Sequence, residues 1–127
     1  MRAPGYWGPV TSDYDWCEKN YAVTRFVAEF WNTLSSLGVL IAGLFFLRRT
    51  MQYNYGYRFV AASVGVTIIG LGSIAFHGTL QRWGQVLDEV PMLWSSLIFL
   101  WIGATNSMSH PSKWSMPPSS SLSMFMS

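Results

Sequence analysis

The chain has 127 residues; half are hydrophobic, 17% are aromatic, and only 11% are charged, for a formal net charge of +2. A soluble domain usually carries about 25% charged residues, so the composition argues for a membrane protein. A charge this small and scattered does not suggest a nucleic-acid-binding surface, and the length suits one small domain. The mean hydropathy of +0.24 is modest because polar ends dilute it. Seven Trp and six Tyr suit two membrane–water interfaces. Cys17 is the single cysteine, so no internal disulfide is possible and the redox compartment is left open.

Residues 1–28 form a polar, aromatic tail rich in turn formers, with Asp13, Asp15 and Glu18 close together. It holds no apolar stretch of the signal-peptide kind, so the first apolar segment is expected to serve as the targeting signal. Residues 30–47 and 59–76 are each uncharged runs of 18, and residues 90–106 form a third run behind Asp88 and Glu89. At about 1.5 Å per residue, 18 to 20 residues cross the roughly 30 Å hydrocarbon core. The fold expected is therefore all-α: an integral membrane protein with three transmembrane helices, spanning about 29–48, 58–77 and 87–105 within a membrane domain 29–106. Pro91 then falls in the first turn of the third helix, where its missing N–H costs nothing. Three buried helices of a soluble protein are the rival, but such helices show a polar face and these runs show little of one. Gly38 with Ala42, Ala61 with Gly65, and Gly70 with Gly72 are small residues at spacings that let helices approach closely in lipid; membrane helices are also glycine-rich in general. Residues 107–127, with Pro111, Pro117, Pro118 and a run of serines, read as a low-complexity disordered tail.

Three spans place the tail and the second loop on one side of the membrane. Asp15, Glu18, Glu29, His77, Asp88 and Glu89 then gather at one face, and Arg48, Arg49 and Arg58 at the other. Ionisable residues at or within spans are functional hypotheses by default. Arg48, Arg49 and Arg58 favour a cytosolic first loop, but Arg2, Lys19, Arg25 and Arg82 balance them and leave orientation open. His77 ends the second run, and Ser73 lies four residues earlier on the same helix face. A neutral imidazole is a good zinc ligand, and Asp88 is placed to act on a metal-bound water. One histidine cannot hold zinc, however, and a capping histidine with two helix-start acids is the plain alternative. Asp15, Glu18, Asn20 and Glu29 supply oxygen atoms of the kind calcium takes, though not in an EF-hand spacing; a solvated acidic tail is the plain alternative here.

Several stretches in order carry a resemblance: Gly5-Tyr6-Trp7-Gly8-Pro9, Asp15-Trp16-Cys17-Glu18, Asn20-Tyr21 and Glu29-Phe30-Trp31-Asn32, then Gly72-Ser73, Phe76-His77 and Leu87-Asp88-Glu89-Val90-Pro91-Met92. Together they resemble the first part of the alkaline ceramidases, over roughly residues 5–101. The resemblance implies a seven-helix bundle in the endoplasmic reticulum or Golgi membrane that hydrolyses the ceramide amide to a sphingoid base and a free fatty acid. It implies a catalytic zinc and a regulatory calcium. By position His77 resembles one of three zinc histidines, Ser73 the serine that helps stabilise the oxyanion, and Asp88 the acid that activates the water. Asp15, Trp16 through its backbone carbonyl, Glu18, Asn20 and Glu29 resemble the calcium ligands. The family's other two zinc histidines have no counterpart: His110, in a polar tail beside Pro111, does not match. The expectation is thus a truncated frame, inactive alone, with a ceramide-type lipid and the membrane as partners. The alternative is a non-catalytic membrane fragment that binds lipid or calcium, or pairs with a full-length relative.

Overall fold

The structure, a computed structural model, describes residues 5–109, with side chains through Asn106. Three helices follow one another: α1 (Phe30–Gln52), α2 (Tyr57–Thr79) and α3 (Arg82–Ser109), with no strand among the described residues. All three are long and apolar enough to cross a membrane. The chain is an all-helical membrane protein. α2 packs against both neighbours, while α1 and α3 do not pack on each other. Large apolar side chains such as Leu34, Ile41, Phe46, Leu93, Leu97 and Leu100 are exposed along the spans, which is stable where lipid is the solvent and would not be in water.

The helix contacts run through small residues. A Cβ on Gly70 would lie 2.6 Å from the Leu40 backbone, and one on Gly43 would lie 2.7 Å from that of Thr67. On the other face of α2, a Cβ on Gly72 would lie 2.1 Å from the Leu87 carbonyl oxygen. Without side chains at these points the backbones approach closely, as lipid-immersed helices require. Gly38 does not take part, contrary to expectation: a Cβ there meets nothing within 4 Å. Its face of α1 turns away from α2, and Gly43 is the residue that packs.

α3 also begins earlier than expected, at Arg82. A single left-handed residue, Leu80 (φ 49°), reverses the chain between α2 and α3. Pro91 therefore lies well inside α3 rather than in its first turn. Its missing N–H leaves the Leu87 carbonyl without a helical donor, and that carbonyl is the one against Gly72.

The irregular segment before α1 folds back over the α2–α3 turn. Ala28 and Glu29 donate their N–H groups to the Gly78 and His77 carbonyls, each at 2.9 Å, and Thr11 and Ser12 donate to the Leu80 carbonyl. Gln81 donates to the Trp7 and Pro9 carbonyls and accepts from the Thr11 hydroxyl. A small core of Ala28, Phe76 and Leu80, with Tyr21 packed against it, lies beneath this strap. The tail, the end of α2 and the start of α3 thus converge at one end of the bundle. α3 continues to Ser109, into the stretch 107–127 expected as a disordered tail; the rest of that stretch lies outside the described residues.

Candidate functional site

Glu29 sits at the start of α1, and its carboxylate is fully buried. It does not cap its own helix. One oxygen accepts from the Trp16 N–H at 3.2 Å; the other accepts from the Asn32 side-chain amide at 3.2 Å and faces His77 Nδ1 at 2.5 Å. An ionised carboxylate only accepts, so beside it Nδ1 is the protonated nitrogen, and in the neutral ring Nε2 keeps its lone pair. This is how a metal-binding imidazole is oriented by a second carboxylate. His77 lies in the last turn of α2, where its ring sits tilted against those of Phe76 and Trp16.

Glu18 takes over the capping that Glu29 leaves undone. Its two oxygens accept from the Trp31 and Asn32 N–H groups, at 2.8 and 2.9 Å. A negative charge on these unpaired N–H groups is favoured by the helix dipole. Asn20 donates its amide to both Asp15 oxygens, at 3.0 and 3.1 Å. Its own Oδ1 is buried and has no hydrogen-bond partner. Burial pushes the Tyr21 phenol above its usual range, against a smaller opposing pull from its hydrogen bond to the Trp7 backbone.

One turn before His77, the Ser73 hydroxyl meets that of Ser36 on α1 at 2.9 Å. Across the turn, Gln85 is buried in the first turns of α3; it accepts from the Asp13 N–H and donates to Glu89. Asp88 follows within α3, half-buried, with its Cα against the Gly72 contact. The structure pairs Asn20 with Asp15 and joins Trp16, Glu18 and Glu29 in a second hydrogen-bonded group through Asn32. It links that group through Glu29 to His77, with Ser73 one turn away on α2.

The Ceramidase family profile matches residues 8–127. The chain belongs to the ceramidase family. It is 48% identical to alkaline ceramidase 3 of Mus musculus over 97 residues, 76% of this chain and 36% of that protein. It is 37% identical to an alkaline ceramidase of Arabidopsis thaliana, over 76% of this chain and 38% of that one. It is also 37% identical to an alkaline ceramidase of Saccharomyces cerevisiae, over 77% of this chain and 31% of the yeast protein. The chain thus spans about a third of the length of these ceramidases, in their N-terminal part. The family match runs through residues 107–127, the stretch that the sequence reading set apart.

The two metals that a ceramidase-family reading implies fare differently against these residues. The donors around Asn20 are all oxygen, suited to a hard cation, and a buried amide oxygen without a donor is the kind of atom that an ion completes. Calcium fits there. For zinc, no group of three or more His, Cys, Asp or Glu side chains is gathered among the described residues. His77 is oriented as a ligand, but a catalytic zinc needs about three protein ligands, so the described residues do not by themselves make a zinc site. Sequence reasoning missed Asn32 and Ser36, which bond to candidate residues, and Gln85, which ties the tail to α3. The signal for two of them was present: Glu29, Asn32 and Ser36 recur at helical spacing as a polar stripe on an otherwise apolar span.

Proposed function

We propose that this ceramidase-family chain carries the calcium-binding tail and part of the catalytic face of a zinc-dependent amidase of the endoplasmic reticulum or Golgi membrane. The substrate is a ceramide, and the products are a sphingoid base and a free fatty acid. One observation carries the reading: the buried Glu29 carboxylate joins the Trp16 backbone of the tail to the imidazole of His77. Asp15, Trp16 through its carbonyl, Glu18, Asn20 and Glu29 would hold calcium; His77 would give one zinc ligand through Nε2. Zinc, when bound, would polarise the amide carbonyl and acidify a water. Asp88 would take the proton from the attacking water. The Ser73 hydroxyl would donate to the developing oxyanion. Lipid-exposed flanks of α1 and α3 would leave the ceramide chains in the bilayer while the amide reaches the polar end.

The test is a chimera in which residues 5–106 replace the matching segment of the mouse relative. It is expected to hydrolyse a fluorescent ceramide, with His77→Ala and Asp88→Ala each lowering turnover at least about 100-fold. A folded chimera that releases no fatty acid would sink the reading. The 127-residue chain alone is expected to be inactive; turnover by the purified chain that His77→Ala abolishes would refute that. A second reading, a fragment that binds calcium or lipid, or pairs with a full-length relative, without catalysis, draws on the unpartnered Asn20 oxygen. Stoichiometric calcium binding by an inactive chimera would decide for it.

A further inference from the structure

Hydroxyl side chains within these helices almost all return to their own backbone. Ser63, Thr67, Thr79, Ser96 and Thr105 donate to the carbonyl four residues back, at 2.7 to 2.9 Å. This is the resting place of a Ser or Thr on a buried helix, because no water competes for the proton. Ser73 has the same opportunity with the Ile69 carbonyl and does not take it; its hydrogen-bond partner is Ser36 on α1. Ser36 is buried and donates its own proton to the Asn32 carbonyl at 2.7 Å. With that proton committed, Ser36 presents a lone pair, so Ser73 is the donor of the pair.

We propose that Ser36 is a positioning residue: it holds the Ser73 side chain off its own helix and turned toward α1, on the side where Glu29 holds His77. The proposal rests on the role given above to Ser73. Glu29 and Ser36 are seven residues apart on α1, about two turns, and Ser73 and His77 are one turn apart on α2. The two contacts form successive rungs across one helix interface. Holding the Ser73 oxygen matters because a donor must already stand where negative charge develops. In this arrangement Ser73 can pass its proton from the neutral Ser36 oxygen to an oxyanion by rotating only its O–H. The charged acceptor makes the stronger bond and drives the exchange. Without Ser36, the Ser73 side chain turns about χ1 to the Ile69 carbonyl, and its oxygen leaves the site.

The first test needs no activity. In the 127-residue chain in lipid nanodiscs, Hα–Hβ couplings of selectively labelled Ser73 report its χ1 rotamer. One rotamer is expected in the wild type and in Ser36→Thr, which keeps a hydroxyl, and a second one in Ser36→Ala. An unchanged rotamer in Ser36→Ala overturns the proposal. The second test uses the chimera. Ser36→Ala is expected to lower kcat about tenfold with KM within about twofold, Ser36→Thr to restore it, and Ser36→Ala to add nothing to Ser73→Ala. Additive losses would mean that Ser36 acts by another route and would overturn it. If Ser73→Ala leaves turnover intact, the role given to Ser73 falls, while the rotamer experiment still decides what Ser36 does.

Discussion

Three hydrogen-bond donors converge on the two oxygens of Glu29: the Trp16 N–H, the Asn32 amide and His77 Nδ1. Only a carboxylate satisfies this arrangement, because it has no proton of its own to place. In Glu29→Gln an amide NH2 must face one of the donors, and leaving such a buried group unpaired costs about 1–3 kcal/mol. The variant is expected to unfold at lower temperature and to show a mixture of His77 tautomers. Circular dichroism melts and ring 15N shifts report the two effects. A wild-type melting temperature together with a purely Nδ1-protonated His77 would mean that Glu29 does not orient the ring. The sequence made Glu29 legible as a candidate but not as the link between tail and imidazole. A linear chain does not show that residues 29 and 77 share a bond.

At the scale of elements, the three helices were legible because their length and lack of charge leave little else for them to be. The start of α3 was not. Gln85, Asp88 and Glu89 interrupt the apolar run, and the sequence alone does not reveal that Gln85 is paired with the tail and buried. The glycines divide in the same way: composition marks them all, but only facing backbones decide which ones pack. Gly72 and Gly38 make the contrast testable. A methyl at Gly72 has to displace the Leu87 backbone, whereas one at Gly38 enters open space. Gly72→Ala is expected to cost on the order of 1–3 kcal/mol as overpacking and to separate α2 from α3 beside Asp88. Gly38→Ala should be neutral or stabilising by up to about 1 kcal/mol, since Ala is the better helix former. Thermal melts in detergent distinguish them, and equal effects at both positions would contradict the packing described.

At the scale of the molecule, charge is divided between the two ends of the bundle. All six acidic residues belong to the tail, the mouth of α1 and the start of α3, while the turn between α1 and α2 is flanked by Arg48, Arg49 and Arg58. The tail cannot leave the α2–α3 end without giving up the bonds from Ala28, Glu29, Thr11 and Ser12 to that turn. Moving these charges through the hydrocarbon core costs several kcal/mol for each one. The two ends must therefore lie on opposite sides of the membrane, whichever side faces the cytosol. The native Cys17 is exposed in the tail, and Asn54 is exposed in the α1–α2 turn, so thiol labelling can test this directly. In sealed vesicles of uniform orientation, a membrane-impermeant maleimide is expected to label either Cys17 or a cysteine placed by Asn54→Cys in a Cys17→Ser background, but never both. Permeabilising the vesicles should expose the other. Labelling of both sites from outside intact vesicles would mean that α1 does not cross the membrane, and the meeting of tail and α2–α3 turn would then need a different explanation from two successive crossings by α1 and α2.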